Sequence, residues 1–325
     1  MNVQTVNFQG LFFLNITRPT DFEMKFLRNT YDFSALNLED YLNKRQIPKI
    51  ENHKNYSLMV LRFPIFSEKI PEGTNQYGTR FSIIFTHSKR KRVVSCYVNI
   101  FISKDSVVVI HDGLLPKIDD IFAVCQKTLH NREEYMGKGA AYLVYKIIDA
   151  LTDGCFPVVN EITAAIDNAD KELEEKQSSK TLEEISTIRR NLVVFHTMIK
   201  PILPLLKELK EGKHAGLNGP IRPLWGNVLD HFQKIMDRVE DNRELIEGIS
   251  RSNESLLAQR SNDIVKFLTV ITSIAFPFVV INNLYSMNVV GLPYAQNPHI
   301  VWILFAVIFV SGFIMVLYFK FRKWL

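Results

Sequence analysis

Residues 300–319, IVWILFAVIFVSGFIMVLYF, carry no charged side chain and interrupt their apolar run only at Ser311 and Gly312. A bilayer core of about 30 Å needs about 20 helical residues, so this stretch can span one. Trp302 and Tyr318 stand near its two ends, where amphipathic rings prefer the membrane–water boundary. Toward the amino terminus, residues 264–284 form a second stretch of spanning length, and no Asp, Glu, Lys or Arg occurs from Phe267 to Phe319. Charged residues make up 22% of the 325-residue chain, yet its mean hydropathy is +0.01. Apolar and charged residues are therefore segregated along the chain, which excludes a plain soluble protein.

The first span is the more polar one. Asn262, Thr269, Ser273, Phe276 and Asn283, with Val265 and Thr272 beside them, recur at steps of three, four or seven and share one helical face. Polar groups at membrane depth are costly and turn toward protein or water. The stripe is read either as a helix–helix seam held by Thr and Asn hydrogen bonds or as the lining of an aqueous path. Two helices cannot enclose a pore, so the second reading requires several copies of the chain. Lys320, Arg322 and Lys323 follow the second span, whereas the loop 285–299 has no acidic residue and no Lys or Arg. That asymmetry places both termini in the cytoplasm, in a multi-pass protein of the cell membrane.

Upstream, residues 3–112 read as strands: VQTVNFQGLFFLNI, YSLMVLRFPIF, RFSIIFTH, VVSCYVNIFIS and SVVVIHDG, separated by turn residues. Helices are expected at 118–128 and 139–152, completing an α/β cytoplasmic domain over 1–153. Residues 154–220 read as an antiparallel helical pair, 158–177 and 181–210, with Pro201 and Pro204 disturbing the second helix. From Trp225 the apolar positions Val228, Leu229, Phe232, Ile235, Met236, Val239 and Ile246 run without proline into the first span. This makes residues 221–284 a stalk helix that continues into the membrane. At about 1.5 Å per residue the part from Trp225 to Asn283 is roughly 90 Å long, of which only about 30 Å fits in a bilayer. A loop at 285–299, a second span at 300–319 and a basic cytoplasmic tail at 320–325 complete the division.

Other function classes find little support. Cys96, Cys125 and Cys155 are far apart, without disulfide or zinc spacing. A net charge of +5 is modest, and the run Lys89–Arg92 reads as a solvated turn between strands, not a nucleic-acid contact. Gly137-Lys138-Gly139 lacks phosphate-loop spacing, and His111-Asp112-Gly113 reads as a turn after a strand. The amino terminus lacks the features of a secretory signal, so that region stays where it is made. No enzyme constellation and no organic cofactor site is expected.

The segment Tyr285-Ser286-Met287-Asn288, between a polar-striped span and a second span, resembles the Tyr-Gly-Met-Asn signature of the CorA family of magnesium and divalent-cation channels. Residues 262–269 (NDIVKFLT), Pro277, Gly291-Leu292-Pro293 and the terminal Lys323-Trp324-Leu325 are similar to family residues at the same places. The resemblance extends to Val228-Leu229-Asp230-His231 and to Ile185-Ile188-Arg189-Arg190, covering about residues 180–325 well and the sheet domain weakly. Ser286 departs from the family glycine, which matters if that position needs φ > 0. The loop also lacks the Asp or Glu that many members place after the signature.

The resemblance implies a funnel-shaped homo-oligomer, a pentamer, that passes Mg²⁺ inward with no nucleic-acid partner. A selectivity loop of Tyr285, Ser286, Met287 and Asn288 would hold hydrated Mg²⁺ through carbonyl and amide oxygens. Asn262 would form a polar ring at the cytoplasmic entrance and Val265, Leu268 and Phe276 hydrophobic constrictions, with polar rings of Thr269 and Ser273 between them. Asn283 completes the lining. Cytoplasmic Mg²⁺ would be sensed by carboxylates, with Asp230, Asp167 and Asp170 as candidates; Asn227, one turn before Asp230, stands where some members have an acid. Two competing expectations are a proton-coupled zinc transporter of the same superfamily, suggested by Asn297-Pro298-His299, and a membrane-anchored oligomer that Ser286 has rendered non-conducting.

Overall fold

A computed structural model of the chain describes residues 2–42, 47–67, 91–175, 179–287 and 299–322. Six described strands form one sheet in the order β1-β2-β6-β5-β4-β3, namely β1 (Val3–Phe8), β2 (Leu11–Thr17), β3 (Lys49–Asn52), β4 (Ser57–Ser67), β5 (Arg92–Ile102) and β6 (Ser106–His111). β2 and β6 pair in parallel, Leu14 opposite Val108, while every other pairing is antiparallel. Every residue of β6 is buried. Its sequence, SVVVIH, accordingly shows no polar alternation, as expected of a central strand covered on both faces.

The face carrying Leu14, Ile16, Val108 and Ile110 packs under α1 (Asp21–Tyr31) and α2 (Ala35–Leu42), through Met24, Leu27 and Leu38. These two helices correct the all-strand reading of residues 3–112. Thr20 caps α1 with its side chain accepting from the Phe22 amide, and Glu23 accepts from the Thr20 amide at 2.9 Å. That Thr-x-x-Glu capping box is a helix-start signal in the sequence, and the hydrogen bonds from Thr20 hold the Glu23 carboxyl down at about 2. The segment RFSIIFTH lies outside the described residues.

The opposite face is covered by α3 (Pro116–Lys127), α4 (Leu129–Met136), α5 (Ala140–Asp153), α6 (Cys155–Glu175) and α7 (Ser179–Ile199). There Phe13 meets Phe122 edge-on, with ring centroids 5.1 Å apart. The helical pair differs from expectation in its second member, because the chain breaks at Lys200–Pro201 and restarts as α8 (Ile202–Glu211). Pro201 has no N–H for the next intrahelical bond, while Pro204 sits in the first turn of α8, where proline is tolerated. Gly212, at φ 80°, ends α8 in the left-handed conformation. A 3-10 turn, Ala215–Leu217, leads to α9 (Arg222–Ser286), and the last described helix is α10 (His299–Phe321).

The described chain divides into two compact units, 1–247 and 248–325. The change of character at 153/154 falls inside the first unit, because the helical pair lies on the sheet: the Val93 amide donates to Asn191 Oδ1 of α7 at 3.0 Å. Within that unit α9 is anchored by Trp225, fully buried, whose Nε1 donates to the Leu217 carbonyl at 3.1 Å and whose ring meets Tyr145 edge-on. Further along, Asn242 donates to Thr163 Oγ1 of α6 at 2.9 Å.

Candidate functional site

In the second unit, α9 and α10 both contain stretches long and apolar enough to cross a membrane. On α9 the less exposed positions are Lys266, Val270, Ile274, Pro277 and Ile281, at steps of three and four, so they form one face. Ile274 lies against Gly312 of α10, where a side-chain carbon would meet Ile274 Cγ2 at 3.9 Å. Val270 and Ile308 are the buried residues of this pairing, 3% and 6% exposed.

The polar stripe lies elsewhere on the helix. At 100° per residue its centre is about 130° from the face turned to α10. Asn262, Val265, Leu268, Thr269, Thr272, Phe276 and Asn283 are all exposed, Phe276 at 68%, while Ser273 is half-buried at the stripe's edge. The stripe is therefore not a seam between the two spans of one chain.

Its hydroxyl hydrogens are directed into the helix. Thr269 Oγ1 donates to the Val265 carbonyl at 2.8 Å and Thr272 Oγ1 to the Leu268 carbonyl at 2.9 Å. With the hydrogen so engaged, each oxygen offers only lone pairs to whatever occupies that face. Pro277, lacking an N–H, leaves the Ser273 carbonyl without its intrahelical donor.

Ser286 is the last residue of α9 and is helical; no described non-glycine residue of this unit has positive φ. Its Oγ donates to the Asn282 carbonyl at 2.6 Å. Serine thus meets no left-handed penalty there. Tyr285 lies within α9 and Met287 just beyond it, exposed. Asn288 and Asn297-Pro298-His299, apart from His299 itself, lie outside the described residues.

Of the candidate sensing carboxylates, Asp167 and Asp170 are exposed on α6 and Asp230 is exposed on α9. No group of three or more His, Cys, Asp or Glu side chains with metal-binding geometry occurs among the described residues of the single chain. Sequence reasoning missed the acidic neighbours of the stalk. His231 Nδ1 stands 3.6 Å from Asp153 Oδ1 of α5, and burial, followed by the charge of Asp153, holds the Asp149 carboxyl above its ordinary range. The spacing of Asp149 and Asp153, one helical turn apart, was the available signal.

A two-unit chain with a covered mixed sheet, a long helix and two apolar helices, one of them striped with outward oxygens, defines a membrane transport protein. The CorA-like Mg²⁺ transporter family model matches residues 8–322, and the chain belongs to that family, whose members are metal-ion transporters and not enzymes. It is 30% identical over 302 residues to the cobalt/magnesium transport protein CorA of Thermotoga maritima, covering 91% of this chain and 78% of that one. The complete structure of the CorA magnesium transporter from Methanocaldococcus jannaschii superposes with a TM-score of 0.77 at 20% identity, over 98% of this chain and 94% of that one. The full-length CmaX structure superposes with a TM-score of 0.68 at 18% identity, over 97% and 88%.

Proposed function

We propose that this chain conducts Mg²⁺ passively into the cytoplasm, through a pore that several copies, five by family resemblance, build by turning the stripe of α9 inward. The supporting observation is that the stripe is exposed, faces away from α10, and presents hydroxyl oxygens whose hydrogens are engaged with the backbone. Mg²⁺ sheds its water reluctantly. A hydrated ion presents water hydrogens outward, and rings of acceptor oxygens at Thr269, Thr272 and Ser273 match them. Asn262 and Asn283, with amide oxygens, mark the two ends of the lining.

Val265, Leu268 and Phe276 alternate with those rings. Where copies bring such side chains together the path dewets, and a hydrated dication does not cross without losing solvation. These constrictions are the gate in this reading. The segment Tyr285–Asn288 forms the outer mouth and selects the ion. Asp230, Asp167 and Asp170 sense cytoplasmic Mg²⁺ by closing on it between copies, hard cations preferring oxygen ligands. The driving force is the membrane potential, about 2.3 kcal/mol per elementary charge per 100 mV and thus about twice that for a dication.

The test is Mg²⁺ entry into dye-loaded proteoliposomes, beside Zn²⁺ entry with a proton reporter. Potential-driven Mg²⁺ entry without proton movement is expected. Zn²⁺ entry coupled to protons, or no flux from a verified oligomer, would overturn the proposal.

A further inference from the structure

A second site lies in the first unit, at the carboxyl ends of the only parallel strand pair among the described strands. A cleft of about 610 Å³ opens there, lined by Asn2, Gln4, Arg18, Asp119, Phe122 and Gln126 among others. β2 ends at Thr17 and β6 at His111, and crevices beyond the carboxyl ends of parallel strands are the usual ligand position in sheets covered by helices. Buried Phe122 lies at its apolar base.

The charges in the cleft are arranged unusually. Arg18 is fixed on three sides: its amide donates to the His111 carbonyl at 2.9 Å, its Nε donates to the Asp112 carbonyl at 3.0 Å, and its own carbonyl accepts from Asn2 Nδ2 at 3.4 Å. It holds φ 50°. No described group accepts from its two terminal nitrogens, so the guanidinium presents a preset fork, the geometry that matches a carboxylate.

Asp119 is fixed from below by a directional chain. The Gly113 amide donates to His111 Nδ1 at 3.2 Å, which leaves the ring proton on Nε2, and Nε2 donates to Asn15 Oδ1 at 2.9 Å. Asn15 Nδ2 then donates to Asp119 Oδ1 at 2.8 Å. Arg18 and Asp119 line the same cleft, yet no ion pair joins them. Two opposite charges that line one cleft without pairing, with the carboxamides of Asn2, Gln4 and Gln126 lining it too, complement a dipolar solute better than an anion or a cation alone.

We infer that this cleft binds a zwitterionic small molecule of the α-amino acid class, its carboxylate on the Arg18 fork and its ammonium on Asp119, with Asn2, Gln4 and Gln126 contacting the remainder.

The test uses the purified full-length protein in detergent and saturation-transfer NMR with the twenty amino acids, each at about 1 mM, where a Kd of that size gives half occupancy. Propionate and propylamine serve as the carboxylate-only and amine-only probes. Two variants accompany it: Arg18→Gly, which suits the positive φ while removing the fork, and Asp119→Asn, which keeps an acceptor for Asn15. We expect transfer to one or more amino acids, none to either control, and at least a tenfold loss in each variant with the unfolding midpoint retained. Absence of transfer to every amino acid, equal transfer to propionate or propylamine, or amino-acid binding that survives both variants would overturn the inference. Should one variant fail to fold, the wild-type panel and the other variant still decide it.

Discussion

Ser286 Oγ donates to the carbonyl of Asn282, one turn back along α9, at 2.6 Å. The Ser286 hydroxyl is therefore engaged with its own helix. Replacing it by glycine relieves no left-handed strain, because Ser286 is helical. Ser286→Gly is expected to change Mg²⁺ flux by less than the tenfold that about 1.4 kcal/mol of barrier would produce. A gain beyond tenfold in proteoliposomes would show that serine weakens the outer mouth.

Leu268 is 58% exposed and Phe276 68% exposed on the stripe. If they are dewetting constrictions that close when cytoplasmic Mg²⁺ is bound, as proposed above, Leu268→Asn, similar in size but wettable, is expected to raise flux about tenfold or more over the wild type at high internal Mg²⁺. Flux recorded with internal Mg²⁺ stepped from zero to millimolar checks this, and an unchanged or lower flux would remove Leu268 from the gate.

Trp225 is fully buried and its Nε1 is bound to the Leu217 carbonyl. Trp225→Phe leaves that carbonyl unpaired and is expected to destabilise the first unit by about 1–3 kcal/mol; Trp225→Ala, which also opens a cavity, by about 3–5 kcal/mol. Denaturant unfolding followed by circular dichroism reads both.

His111 is fully buried, and desolvation holds its pKa below the ordinary 6.5 against an opposing, smaller effect of the Asp119 charge. The unfolded chain therefore takes up a proton near pH 6.5 that the folded chain refuses. Its contribution is complete above 6.5 and declines as pH falls below it, by up to about 1.4 kcal/mol per pH unit. Unfolding midpoints between pH 7.5 and 5 should fall more steeply for the wild type than for His111→Gln; parallel slopes would contradict the assignment.

How far the chain discloses this structure depends on the range of the interaction. The two spans are legible because a long uncharged run has one physical meaning, and the stripe because residues at steps of three and four share a face. The short helices α1 and α2 lie between strand-like segments and are absorbed into the strand reading of 3–112, although Thr20-x-x-Glu23 marks the start of the first and Ala35–Leu42 has a helix-favouring composition. The chain from Gly113 through His111 and Asn15 to Asp119 joins positions about a hundred residues apart. Nothing local distinguishes His111 in the sequence from an ordinary turn histidine. Ser286 was legible as a departure from a signature but not in its conformation, since only the backbone shows that the position is helical. Asp149 and His231 come together by packing of α5 on α9, which composition does not encode.

The central claim, that the stripe of α9 lines the ion path, is tested most directly by single cysteines along 262–283. Cys96, Cys125 and Cys155 are all buried, so in a Cys-intact background a water-soluble thiol reagent should act mainly on the introduced residue. The account predicts that reagent blocks Mg²⁺ flux at positions 262, 265, 269, 272, 276 and 283 and leaves it unaffected at 270, 274, 277 and 281. Block at the second set, or block without helical periodicity, would contradict it.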